Sequence, residues 1–253
     1  MANHQPALIV ENVTKNFGGI CAVDDVSLSL GAGDSTVMIG PNGAGKTTLF
    51  NLITGSIPLD GGRIVLFGEE VNQKPEQVRS RLGMSRTYQI CNLFTLLTVE
   101  QNLYLALKDS EWRNSRKGME AIVPWRSNSV RLQRVGEVLS MIQLEHLRNT
   151  QILNMSHGEQ RQLELGMAIA TDPKIILLDE PMAGLSAAER VFIGALVKEL
   201  AQEKIIFVIE HDIDFALSLT NRVAVMDHGR MVAVGTPDEI KTSEAVQRIY
   251  RME

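Results

Sequence analysis

Cysteine is almost absent from this chain, which holds two, Cys21 and Cys91, among 253 residues. They lie too far apart in sequence to form a CxxC pair and are read as reduced thiols, which points to a cytosolic setting. Long apolar runs are missing too. The longest, "IIFVI" from Ile205 and "IILL" from Ile175, are strand-length and fall short of the roughly 18 residues of a membrane span. Positive charge is not in excess either: 25 Lys and Arg against 30 Asp and Glu give a net charge of −5, which offers nucleic acid no general attraction. The opening "MANHQPALIV" lacks a basic start and an apolar core ending at a small-residue cleavage site, so no secretory signal is expected. No internal repeat or low-complexity segment is evident.

What remains is ordinary globular composition, 44% hydrophobic and 22% charged, at a length that suits one large domain or one domain with an insert. "ALIVENVTKNF" and "AVDDVSLSL" alternate apolar and polar residues, as half-buried antiparallel strands do. "STVMIG" is a short buried strand running into "GPNGAGKT", "KTTLFNLITG" is a helix stopped by Gly55, and "DGGRIVLFGEEV" adds a strand after a turn. From about Pro75 to Ala170 the pattern is helical. It includes "TVEQNLYLALK" behind a Thr98/Gln101 capping box and "VRLQRVGEVLSMIQL" with apolar residues at helical spacing. Buried strands then return in "KIILLD", "KIIFVIE" and "RVAVMD", the last turning at "HG" into "RMVAVG" as a hairpin. The expectation is an α/β core interrupted by a helical block.

Gly40, Pro41, Asn42, Gly43, Ala44, Gly45, Lys46 and Thr47 match G-x-x-x-x-G-K-[ST] at every fixed position, and Thr48 follows in the helix. Glycines let the backbone curl so that successive N–H groups point at phosphate oxygens, and the helix N-terminus adds favourable partial charge. Lys46 is expected on the outer phosphates, and Thr47 is expected to offer its hydroxyl to magnesium. Asp179 and Glu180 stand where "IILLDE" emerges from its strand, and strand alternation is expected to send them to different sides. Two roles suit them: Asp179 for a magnesium shell and Glu180 as general base for a water.

His211, in "VIEHD", is either a capped surface residue or, from a parallel strand's carboxyl end, a group that reaches a terminal phosphate. Gln89 is a polar loop residue or a ligand to metal or water. Phe17 is a core aromatic or a face for a nucleobase. Ser156 and Glu159 of "SHGEQ" form a capping box, which alone explains a helix start there. The same free N–H groups, with Gly158 allowing close approach, would also receive a phosphate. Ser186 and Glu189 make another such box.

In combination, Phe17, "GPNGAGKT", Gln89, "MSHGEQ", "IILLDEP" and "VIEHD" occur in the order seen in ATP-binding cassette (ABC) ATPases, and the resemblance covers essentially the whole chain. It implies a P-loop NTPase (RecA-like) α/β core with an N-terminal antiparallel β subdomain and an inserted α-helical subdomain. The core would span 1–92 and 172–253, the helical subdomain 93–171, and a C-terminal extension 235–253. It also implies ATP and Mg2+ as cofactors. By resemblance Phe17 stacks on adenine, residues 40–48 hold the phosphates, Thr47, Gln89 and Asp179 attend the metal, Glu180 is the base and His211 senses the γ-phosphate. Ser156, His157, Gly158 and Glu159 would face the ATP of a second cassette, so that two cassettes sandwich two nucleotides. His157 stands where the family usually has a glycine, and Ser186 where an aspartate commonly follows "GL".

The "EHD" ending, "AGLS" and the tail "GTPDEIKTSEAVQRIY" resemble the ATPases of branched-chain amino acid uptake systems, and urea importers look similar. The expected partners are a second ATPase subunit, transmembrane permease subunits and, indirectly, a solute-binding protein, with the chain peripheral on the cytoplasmic face of the membrane. A lipid or lipopolysaccharide exporter is the alternative within transport. Soluble cassette ATPases of DNA repair would carry a long heptad coiled coil, which is not seen here. Residues 108–134 hold seven Lys/Arg against three Asp/Glu, and are read as a solvated loop rather than a lipid or nucleic-acid surface.

Overall fold

A computed structural model describes residues 6–87, 93–111 and 128–251. The described chain falls into two compact units, one of residues 1–86, 174–181 and 197–253, the other of residues 87–173 and 182–196.

In the first unit, the alternating segments form β1 (Leu8–Phe17) and β2 (Ile20–Leu30), paired antiparallel, with β4 (Gly61–Leu66) on the other side of β1 and β5 (Glu69–Glu70) at the edge. A second sheet has the order β10-β9-β3-β8-β7-β6. Its members are β3 (Ser35–Ile39), β6 (Met84–Arg86), β7 (Ile175–Asp179), β8 (Ile205–Ile209), β9 (Arg222–Asp227) and β10 (Arg230–Gly235). All neighbours in it pair parallel except β9 and β10, the expected hairpin through "HG". β3, β7 and β8 are buried at every position, as strands of a doubly covered parallel sheet should be.

Helix α1 (Lys46–Thr54) ends at Gly55, whose φ of 83° and backbone N–H bonds to Asn51 and Leu52 carbonyls stop it as the sequence indicates. Its Leu49, Phe50, Leu52 and Ile53 are fully buried in one cluster with strands of both sheets, and Phe50 meets Phe207 at 4.7 Å between ring centroids. Each such side chain contributes about 1.5–3 kcal/mol relative to exposure, so the helix that opens at the glycine loop is anchored in the core.

The helical reading of 75–170 needs one correction. After α2 (Glu76–Leu82), β6 pairs with β7 and extends the parallel sheet. Three residues are too few to show a period, and tertiary pairing decides their conformation. Arg79 of α2 is buried and donates to the carbonyls of Leu52, Ile53, Lys74 and Asn72, so a cation closes the C-terminus of α1. Burial pushes its guanidinium down to about 10, which leaves it charged at neutral pH.

The second unit holds α3 (Val99–Glu111), α4 (Ser129–Met141) and α5 (His157–Ala170), and the start of α6 (Ala187–Leu200). Thr98 and Gln101 make the expected reciprocal cap on α3. Gly166 lets α5 approach α4 closely, because a Cβ there would sit 2.6 Å from Ile142 Cδ1. In the first unit α7 (Ile213–Leu219) follows β8, and the chain closes with α8 (Pro237–Thr242), capped by Thr236 and Glu239, and α9 (Glu244–Arg251).

Candidate active site

Register along the parallel sheet builds the site. Met38 of β3 lies opposite Ile209 of β8, and Ile209 lies opposite Asp179 of β7. The residues that follow each, Gly40, His211 and Glu180, therefore leave the sheet at one rim, with His211 between the other two. Strands about 4.8 Å apart place β3 and β7 about 10 Å from each other. This is the carboxyl rim at which open α/β sheets receive ligands.

The glycine loop is shaped by its neighbours. A side chain on Gly40 would run into the Met226 carbonyl, and one on Gly45 into the Ala22 carbonyl, so those two positions admit only glycine. Gly43, with φ of 80°, has open space where a Cβ would point. Ala44 is buried, its carbonyl accepting from the Gly229 N–H, while Pro41 is half-buried and Asn42 exposed. Lys46 Nζ donates to the carbonyls of Gly40 at 2.6 Å and Pro41 at 3.0 Å, so the ammonium spans the loop. Thr47 and Thr48 are half-buried in the first turn of α1. That turn has no side-chain cap and no acidic residue. A helix start of this kind, with its positive end, suits an anion, which is a good fit to phosphate.

Asp179 ends β7 fully buried, and its Oδ2 accepts from Arg86 Nη2 at 2.8 Å. Breaking a buried pair of this kind costs about 3–5 kcal/mol. Arg86, three residues before Gln89, carried no sequence signal of this contact. Glu180 lies beyond the strand at φ 48°, in the left-handed region. The two carboxylates thus diverge through a turned backbone rather than through strand alternation as expected, because β7 ends at Asp179. His211 stands two residues past β8, and its Nε2 is 2.7 Å from Glu180 Oε1. An ionised carboxylate only accepts, so the His211 Nε2–H donates to it.

Phe17 ends β1 at 49% exposure, with Lys15 Nζ 5.5 Å from its ring centroid, so it is not a core aromatic. It caps the hairpin whose returning strand carries Ala22 to Gly45. Gln89, Cys91 and residues 112–127 of the basic segment lie outside the described residues.

The "SHGEQ" residues belong to the second unit. Ser156 Oγ accepts from the Glu159 N–H, and the Ser156 N–H donates to Glu159 Oε2 at 2.7 Å: the cap is real. A serine acting as acceptor keeps its own O–H for another partner. His157, the departure from the usual glycine, lies against Gly184, where an added Cβ would sit 3.0 Å from His157 Nε2. Gly158 abuts the Glu189 carboxylate, which also accepts from the Ser186 N–H at 2.7 Å and hydroxyl at 2.6 Å. These bonds from Ser186 hold the Glu189 carboxyl below its usual range. Both departures therefore sit in one packed cluster at the starts of α5 and α6.

Comparisons with known proteins accord with this geometry. The family model described as ABC transporter matches residues 23–183. The high-affinity branched-chain amino acid transport ATP-binding protein LivG of Salmonella typhimurium is 37% identical over 97% of this chain and 98% of its own. The lipopolysaccharide export system ATP-binding protein LptB of Escherichia coli is 31% identical over 96% of each. Among solved structures, the ADP conformation of MJ1267, an ATP-binding cassette of an ABC transporter, matches with a TM-score of 0.84 at 30% identity, covering 98% of this chain and 100% of that one. A dimeric post-hydrolysis state of the cassette MJ0796, bound to ADP and Pi, matches with a TM-score of 0.77 at 27% identity, covering 91% and 98%.

Proposed function

Because the chain belongs to the ABC transporter family of ATPases, we propose that it is the subunit that binds and hydrolyses ATP to energise solute uptake, with branched-chain amino acids or a related small polar solute as cargo. One observation carries the hydrolytic part: the glycine loop, His211 and Glu180 leave adjacent strands at one rim, with Glu180 and His211 bonded at 2.7 Å. In this reading residues 40–48 hold the phosphates and Phe17 offers its exposed face to adenine. Glu180 draws a proton from the attacking water while His211 steadies the carboxylate and reaches the terminal phosphate.

Thr47 and Asp179 supply oxygen donors of the kind Mg2+ takes, with Gln89 as a third. Among the described residues no three His, Cys, Asp or Glu cluster to hold an ion unaided. That fits a metal held largely by phosphates and water, which when bound neutralises charge on the phosphoryl group. Ser156, Gly158 and Glu159, with His157 beside them, are assigned to the nucleotide of a second cassette. The chain would work on the cytoplasmic face of the membrane with permease subunits and, through them, a solute-binding protein. No described helix is long and apolar enough to cross a membrane. The similarity to LptB keeps lipopolysaccharide export as the second reading.

Glu180→Gln is the direct test. It should bind MgATP, accumulate as an ATP-loaded dimer by size-exclusion chromatography, and lose about 10²–10⁴-fold in turnover. Unchanged turnover would remove Glu180 from the role of base. Co-purified membrane subunits, assayed for the solute that stimulates ATPase activity, separate amino-acid uptake from lipid export.

A further inference from the structure

We propose that Arg86 is a positioning residue that fixes the Asp179 carboxylate toward the metal of a bound nucleotide and locks it to the helix of the glycine loop. The proposal rests on the ATPase reading above. Asp179 is fully buried, and a buried carboxylate keeps its charge and direction only against a partner. Arg86 Nη2 holds Oδ2 at 2.8 Å, which sets where Oδ1 points. The other end of the same guanidinium is held as well: Nη1 donates to Asn51 Oδ1 at 2.6 Å and lies 3.4 Å from Thr54 Oγ1, while the guanidinium carbon is 5.9 Å from the Phe50 ring centroid.

Asn51 and Thr54 are four and seven residues past Thr47, so all three share one face of α1. Arg86 therefore bridges the helix face that carries the Thr47 hydroxyl and the strand end that carries Asp179. Two metal donors from different elements are referred to one rigid, planar fork. A lysine, with a single nitrogen, cannot reproduce both bonds in fixed geometry.

The test uses Arg86→Lys, Arg86→Met and Asn51→Ala in the full-length chain. Mn2+ binding is read by EPR in the presence of ADP, and ADP binding is measured with EDTA in place of metal. Loss of a residue that orients a metal ligand weakens metal affinity by about 10–100-fold. Arg86→Met should reach the upper end, Arg86→Lys about tenfold, and Asn51→Ala less, each with metal-free ADP affinity within about twofold of wild type. Higher Mg2+ should restore the ATPase activity of Arg86→Lys.

Should Arg86→Met fail to fold, the other two variants decide. Wild-type Mn2+ affinity in folded Arg86→Lys and Asn51→Ala overturns the proposal. An equal fall in metal-free ADP affinity also overturns it, since Arg86 would then merely pack α1. A wild-type chain that binds no Mn2+ with ADP would instead sink the ATPase reading itself.

Discussion

Glu180 holds φ at 48°, where a residue with a side chain is disfavoured by roughly 1–2 kcal/mol relative to right-handed backbone. Backbone strain of this size persists where surrounding structure fixes it, and it concentrates at functional sites. Here the hold comes from the Glu180 N–H, which donates to the Ile209 carbonyl at 3.0 Å, and from the 2.7 Å bond to His211. A turned backbone brings the Glu180 carboxylate to His211, while Asp179 one residue earlier stays inside with Arg86. Removing the carboxylate should expose the cost. Glu180→Gly is expected to melt higher than Glu180→Ala by the equivalent of about 1 kcal/mol, because glycine alone is at ease at this φ. Both should lack hydrolysis. Equal melting temperatures by differential scanning calorimetry would mean that no strain is stored at this position.

Helix starts are the elements in which structure and ligand chemistry overlap most. α5 and α6 are capped by their own Ser and Glu side chains, whereas α1 has neither a capping side chain nor an acid in its first turn. Ser156→Asp separates the observed cap from the proposed phosphate contact at the α5 start, since aspartate caps as well as serine but brings a charge that repels phosphate. The variant should melt within about 0.5 kcal/mol of wild type and bind ATP as a monomer. Its ATP-driven dimerisation, followed by light scattering, should be lost; normal dimerisation would leave Ser156 as a cap alone. These starts were legible in the sequence because a cap, a glycine loop and a buried strand are local patterns, and the same holds for α1, the β9–β10 hairpin and the α/β class. β6 and the Arg86–Asp179 pair were not legible. The first is three residues long, and the second joins positions 93 apart, a distance no periodicity spans. The direction in which Glu180 leaves β7 was also hidden, because a left-handed turn at a non-glycine residue is imposed by tertiary bonds.

At the scale of the whole molecule, an ATPase subunit that drives transport needs a surface for its membrane partners as well as a site for ATP. The second unit carries an exposed apolar group that suits one. Phe94, Leu96 and Leu153 are 56%, 73% and 63% exposed, and they stand on two segments hydrogen-bonded to each other, the Leu153 N–H to the Thr95 carbonyl and Gln151 Nε2 to the Leu96 carbonyl. Singly exposed apolar residues such as Val130 or Val191 are common, but three large ones grouped on paired segments leave an apolar face that water covers poorly. The short segments are fastened by backbone bonds, so the face is rigid enough to receive an apolar side of a permease subunit without ordering itself first. Replacing Leu96 and Leu153 together by Asp should leave ATP binding and basal hydrolysis by the isolated chain unchanged, because neither residue is among those assigned to nucleotide in either unit. Burial of each leucine at an interface is worth about 1.5–3 kcal/mol, so the double variant should weaken assembly by about 100-fold or more. Pull-down from detergent-solubilised membranes, with solute-stimulated ATPase activity as a second readout, measures this. Full co-purification of permease subunits with the double variant would move the docking surface away from this face.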